Sequence, residues 1–123
     1  MNLNRREFVR RFVLMEIADD YESLEHIAWL IARDASECGL TISNAEIRQG
    51  LMELIEAGLA RAYCLGSNPV LETGGIPMPD RFEDSFTHYR ATPKGTELLT
   101  ADRDWWPFDD EGELRLNWKP PED

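Results

Sequence analysis

The sequence predicts an α+β fold in a single domain. Three segments carry apolar residues at helical spacing, and two strand-like segments and a short last helix follow them. A capping box formed by Ser43 and Glu46 marks the start of the third helix, and Gly58 marks its end. Thr92 and Pro93 mark the start of the last helix, because a proline at the first helical position loses no hydrogen bond. With 123 residues, the chain is long enough to bury one core.

The composition is acidic and limits the partners we expect. There are 24 Asp and Glu against 13 Lys and Arg, which gives a net charge of −11. Such a chain repels phosphate groups and anionic lipid, so nucleic acid is disfavoured and a membrane is not expected as a partner. The longest apolar run, 27–32, is too short to span a bilayer, and the N-terminus lacks the apolar core of a signal peptide. We expect a cytoplasmic protein with Cys38 and Cys64 reduced.

The first two predicted helices differ in the distribution of their apolar residues. Between Arg5 and Asp20 these residues cover well over half of the helix circumference, which is more than one core face can use. They are Phe8, Val9, Phe12, Val13, Leu14, Met15 and Ile17. The second helix begins after Ser23 as N-cap and ends at Gly39, and its apolar residues form a narrow stripe. Trp29 projects from the side opposite that stripe.

The segment after the third helix is predicted to be a hairpin with a long loop. Its strands are expected over 59–65 and 86–91, and the loop over 66–85 is rich in Gly and Pro. Beyond Thr100 the chain becomes acidic and rich in Trp. We therefore expect one domain over 1–101 and a C-terminal extension over 102–123 that packs on the domain or on a dimer mate.

The order of these elements, from 8 to 99, resembles bacterial winged helix-turn-helix regulators of the MarR and PadR kind. Two junctions carry the resemblance, namely Glu56-Ala57-Gly58-Leu59 and Tyr89-Arg90-Ala91-Thr92-Pro93-Lys94-Gly95. The resemblance implies that 43–57 is a recognition helix and that the loop over 66–85 is the wing. It also implies that N-terminal side chains of this helix reach base edges, and Asn44, Arg48 and Gln49 have the right chemistry for that role.

Charge opposes that DNA-reading role. The predicted recognition helix has a net charge of −2 and the wing one of −3, whereas affinity for duplex DNA depends on neutralising phosphates. The one basic cluster consists of Arg5, Arg6, Arg10 and Arg11. Acidic residues share its segment, so pairing within the first helix is the expected use of these arginines.

We therefore expect a non-enzymatic, regulator-type binding module that acts mainly through protein contacts. The alternative is a sequence-specific DNA-binding regulator; an enzyme ranks third, because no catalytic, metal or cofactor motif is recognisable. The first helix, Trp29 and the tail carry more apolar residues than one core is expected to bury, which points to a homodimer. An unidentified protein partner is a further candidate. The candidate interface residues are Phe8, Val9, Phe12, Val13, Met15, Trp29, Trp105 and Trp106. A second explanation of these apolar residues is that the tail folds back over the first helix of the same chain and buries them in a monomer.

Overall fold

The computed structural model describes residues 3–64, 71–72 and 87–121, with the side chains of 64, 71 and 72 outside that description. The predicted α+β class is confirmed. The elements are α1 (Arg5–Glu16), β1 (Glu22–Ser23), α2 (Leu24–Glu37), α3 (Asn44–Glu56), β2 (Ala60–Cys64), β3 (Leu71–Glu72), β4 (Thr87–Ala91) and α4 (Pro93–Ala101). Apart from β3, the predicted wing over 66–85 lies outside the described residues. Within the described ranges, no helix has the length and apolarity needed to cross a bilayer.

The strands form one antiparallel sheet in the order β1-β4-β2-β3. Its main ladder joins β2 to β4, from Ala60 opposite Ala91 to Cys64 opposite Thr87. The two strands of the hairpin predicted from the sequence are therefore paired, while residues 65 and 86 at their predicted outer ends lie outside the described residues. Strand β1 was not predicted, because a strand of two residues is too short to show the alternation that identifies strands.

Side-chain caps start the helices where the sequence predicts them. Ser23 accepts a hydrogen bond from the backbone of His26, and both halves of the Ser43 and Glu46 capping box are present. Helix α1 ends at Glu16, earlier than the predicted Asp20. The reason is tertiary: Ile17 is fully buried, and its carbonyl accepts a hydrogen bond from the backbone of Ala91 in β4.

The two junctions that carry the family resemblance pack directly on each other. The backbone N–H of Thr92 donates to the carbonyl of Leu59 at 3.0 Å, and its hydroxyl donates to the carbonyl of Gly58 at 2.7 Å. Gly58 has a φ of +76°, which glycine adopts at little cost. Gly95 lies so close to Leu59 that a Cβ there would be 2.2 Å from the Leu59 carbonyl oxygen. These residues fix the end of α3 against the start of α4.

Helix α1 lies at the centre of the core, and the C-terminal tail covers its outer side. Trp105 is only 3% exposed and meets the Phe8 ring edge-to-face, with centroids 5.9 Å apart. The Trp106 ring lies 5.3 Å from that of Phe12, and Trp118 lies 6.0 Å from Phe8. The described part of the tail thus packs on its own chain.

This packing covers the α1 residues that were predicted to lie in a dimer interface. Phe8, Val9, Phe12 and Val13 are buried within the chain, so they present no exposed face to a second subunit. Met15 is half-buried and also packs against the core. The wide apolar arc has a partner on each side, because the core covers one side and the tail covers the other.

The tail contains a turn over 109–112 but no extended strand over 114–118. Asp109 accepts hydrogen bonds from the backbones of Glu111 and Glu113, and Gly112 has a φ of +80°. Leu114 then makes a single bridge to Phe108, and Leu116 is 91% exposed. Leu114, Leu116 and Trp118 therefore alternate along the chain without forming a strand, and the two leucines are exposed.

Candidate functional site

The three candidate DNA-reading residues lie at the N-terminal end of α3. Asn44 and Gln49 are exposed, while Arg48 is half-buried. The Gln49 amide donates a hydrogen bond to Glu53 at 3.1 Å. A base edge approaching Gln49 would therefore compete with a hydrogen bond that already exists.

Arginines of α1 and glutamates of α3 join the two helices. The Nε of Arg5 donates to Glu46 at 2.8 Å, and its Nη2 reaches the carbonyl of Thr41 at 2.6 Å. Glu53 accepts hydrogen bonds from Arg6 and, at 3.3 Å, from Arg10. Most of these partners are separated by about forty positions in the chain, so they fix tertiary rather than local structure.

The pairing changes the electrostatics of α3. The hydrogen bond from Arg5 lowers the pKa of Glu46 to about 2, and the one from Arg6 lowers the pKa of Glu53. Burial opposes the change at Glu7, but its pKa is still lowered because hydrogen bonds from Arg10 and Arg11 outweigh burial. All three carboxylates are therefore ionised near neutral pH and matched by guanidinium groups.

These contacts correct the expectation that the arginines pair within α1. Arg10 and Arg11 do contact Glu7, but Arg5 and Arg6 reach across to α3 and Arg10 does both. Glu46 and Glu53, two helical turns apart, both turn toward α1. The net −2 counted along α3 therefore overstates the negative charge on its outward face.

A cleft of about 480 Å³ opens between the N-terminal half of α1 and α3. Arg5, Arg6, Glu46, Gln49 and Glu53 line its polar wall, and Val9 contributes to its apolar floor. Each charged group in that wall already has an oppositely charged partner. The cleft consequently offers little uncompensated positive charge to a phosphate.

Two titratable sites lie away from this cleft. Burial, together with a hydrogen bond to Asp34, raises the pKa of Glu16 to about 8. Cys38 is a buried free thiol, and burial raises its pKa to about 11, which makes it a poor nucleophile at neutral pH. Among the described residues, no three His, Cys, Asp or Glu side chains come together in a way that would hold a metal ion.

The exposed aromatic residue of α2 is Trp29, whose side chain is 59% exposed. His26 stacks beside it with ring centroids 6.1 Å apart, and the Arg33 guanidinium lies 5.3 Å from its ring centroid. The helical wheel predicts this exposure, which sets Trp29 apart from the other candidate interface tryptophans. Trp105 is buried and Trp106 half-buried where the tail packs on α1.

Comparisons with protein-family models, with curated proteins and with solved structures found no match to this chain.

Proposed function

We propose that this protein is a non-enzymatic, regulator-type binding module with a winged helix-turn-helix fold, acting mainly through protein contacts. The order of two helices, a capped helix and a hairpin is compatible with that fold. A second copy of the chain, a further protein partner and a cytoplasmic location belong to the same proposal.

The main support for this proposal is that the arginines of α1 are already paired with carboxylates. Arg5, Arg6, Arg10 and Arg11 form the basic cluster beside α3, and each of them is paired with a carboxylate. Proteins that bind duplex DNA use such side chains to neutralise phosphates, and this term supplies much of their affinity. Engaging these arginines with DNA would require breaking interhelical ion pairs, in a chain with a net charge of −11.

A DNA-binding regulator is the second candidate, and one observation favours it. Because Glu46 and Glu53 face α1, the exposed residues on the N-terminal half of α3 include Asn44 and Gln49 without an exposed acid between them. Asn and Gln side chains are suited to pairing with adenine. This candidate requires phosphate contacts from residues other than the arginines of α1.

Binding to duplex DNA separates the two candidates. We expect no binding of a labelled random duplex at micromolar protein and about 150 mM salt, measured by fluorescence anisotropy. Selection from a random duplex library under the same conditions should yield no consensus. Recovery of a sequence bound with a dissociation constant of about 10⁻⁸ M would refute the proposal and establish the DNA-binding candidate.

A double variant tests whether the paired arginines are the cause. Replacing Glu46 and Glu53 together (Glu46→Gln and Glu53→Gln) removes the α3 carboxylates that pair with Arg5, Arg6 and Arg10, while Arg10 keeps its contact with Glu7. Glutamine keeps the capping box at the start of α3. We expect weak duplex binding that disappears as salt is raised. Glu97→Gln, at an exposed position of α4, makes one substitution of the same kind far from the cluster and should bind no DNA. If the double variant binds no better than Glu97→Gln, the ion pairs are not what prevents phosphate contact.

A further inference from the structure

The exposed face of α2 carries a charge pattern that is symmetric about Trp29. Glu25 lies four residues before Trp29, and Arg33 lies four residues after it. At about 100° per residue, each projects within about 40° of the direction of Trp29, one on either side. Both are exposed, as are Ala32 and Ser36 on the same face.

The Trp29 side chain has the character of an interface anchor. Among the described residues it is the large aromatic side chain that remains mostly exposed, whereas the rings of Trp105 and Tyr89 are buried. Contacts with His26 and Arg33 already limit the freedom of its ring, so less side-chain entropy is lost on binding. Tryptophan and arginine are also among the residues that most often dominate binding energy at interfaces.

We propose that α2 packs antiparallel against α2 of a second copy of this chain, across a two-fold axis at Trp29. This inference rests on the proposed function, in which the chain works through protein contacts. In such a pair each residue before Trp29 faces the residue equally far after it in the other protomer. Glu25 of each protomer therefore faces the partner's Arg33, and the two contacts are identical by symmetry.

The remaining positions fit the same arrangement. The side chains at 25, 29 and 33 form a row along the helix surface with four-residue spacing. In the commonest class of helix packing, rows of this spacing from the two helices lie side by side. Ala32 would face the partner's His26, which places a small side chain opposite a large one. Because the patch carries one acid and one base in symmetric positions, its charge complements itself better than a partner of a single sign.

The size of the surface sets the expected affinity. A stable interface buries about 800 Å² on each partner, and one exposed helix face provides less than that. We therefore expect a reversible dimer with a dissociation constant in roughly the micromolar range. Trp29→Ala should weaken it by about 30-fold, because it removes the central anchor.

Charge reversal gives a decisive test. Glu25→Arg places a second guanidinium opposite the partner's Arg33, and Arg33→Glu places two carboxylates opposite each other. Each variant alone should sediment as a monomer over the concentration range in which the unmodified protein dimerises. An equimolar mixture should dimerise again, because a mixed pair restores opposite charges at both contacts. The loss of association in each variant alone, together with its recovery in the mixture, identifies the partner and the antiparallel register, because a parallel pair would oppose like charges in the unmodified protein as well.

Matched controls separate this effect from a general change in charge or folding. Glu97→Arg and Lys119→Glu alter exposed positions away from α2 and should leave dimerisation unchanged. Arg33 also pairs with Asp34 at 3.0 Å, so thermal melts followed by circular dichroism must show that Arg33→Glu is folded. If Arg33→Glu is unfolded, Arg33→Gln mixed with Glu25→Arg replaces it, and the mixture should again associate more strongly than Glu25→Arg alone.

The outcomes distinguish this inference from the proposed function. A full-length protein that stays monomeric over the whole concentration range overturns the α2 dimer, as does a mixture of the two variants that fails to associate. Neither measurement involves DNA, so the duplex-binding experiment judges the proposed function separately. Dimerisation that survives both Trp29→Ala and Glu25→Arg would place the contact on another surface and would also overturn this inference.

Discussion

Gly95 makes the closest backbone approach among the described glycines, where the first turn of α4 meets the end of α3. A Cβ at this position would be 2.2 Å from the Leu59 carbonyl oxygen and 3.1 Å from the Leu14 side chain. That carbonyl also accepts a hydrogen bond from the backbone N–H of Thr92, so it cannot move away without breaking that hydrogen bond. We expect Gly95→Ala to lower the free energy of unfolding by about 2–4 kcal/mol, measured by urea denaturation.

Gly50 provides a matched control inside α3. A Cβ there would lie 3.6 Å from Val9 and 3.7 Å from Arg10, which is ordinary van der Waals contact. Because alanine is the better helix former, Gly50→Ala should leave stability unchanged or raise it by up to about 1 kcal/mol. Equal effects of the two substitutions would show that the joint at Gly95 relaxes more readily than its geometry implies.

At the scale of elements, Glu16 and Asp34 couple the end of α1 to α2. Burial and the Asp34 carboxyl raise the pKa of Glu16 to about 8, with Glu22 adding repulsion and Arg33 opposing it. A carboxyl whose pKa is higher in the folded state stabilises the protein below its unfolded pKa, and this stabilisation is lost as pH rises through the folded pKa. We therefore expect stability to fall between about pH 4.5 and pH 8, by roughly 1–2 kcal/mol after allowing for solvent screening.

Urea denaturation across that pH range, with and without Glu16→Gln, measures the effect. Glutamine removes the titration, so the variant should show a flatter stability profile. Glu25→Gln, at an exposed position, should keep the slope of the unmodified protein. The lowered pKa of Glu46 acts below this window and does not enter the comparison. A slope that persists in Glu16→Gln would assign the titration to another group.

The elements also show which structural features could be predicted from the sequence. Caps and glycine stops are local chemistry, so the starts of α2, α3 and α4 and the end of α3 agree with their sequence signals. Strand β1 depends on a neighbouring strand and has no local pattern. The same limit applies to the candidate site. A helical wheel predicts that Trp29 is exposed, but the link from Arg5 to Glu46 requires knowledge of which helices are neighbours.

At the scale of the whole molecule, the tail determines which surfaces remain available to a partner. The wide apolar arc of α1 is equally consistent with a subunit interface and with an intramolecular cover, because a sequence shows the surplus without showing what buries it. The structure provides the cover in Trp105, Trp106 and Trp118, and it leaves Trp29 exposed on α2. In the proposed dimer the contact surface therefore lies on α2 rather than on α1.

Removing residues 103–123 should reverse that assignment. The truncated chain loses the buried ring of Trp105 and exposes Phe8 and Phe12, so we expect a lower melting temperature and stronger binding of a hydrophobic dye. It should also associate in the Trp29→Ala background, where the α2 contact is absent, because α1 now presents the larger apolar surface. Leu116→Ala alters a tail residue that is 91% exposed and should change none of these measurements. A truncated protein that melts unchanged and binds no additional dye would mean that the tail contributes little to the core and that α1 is stable without its cover.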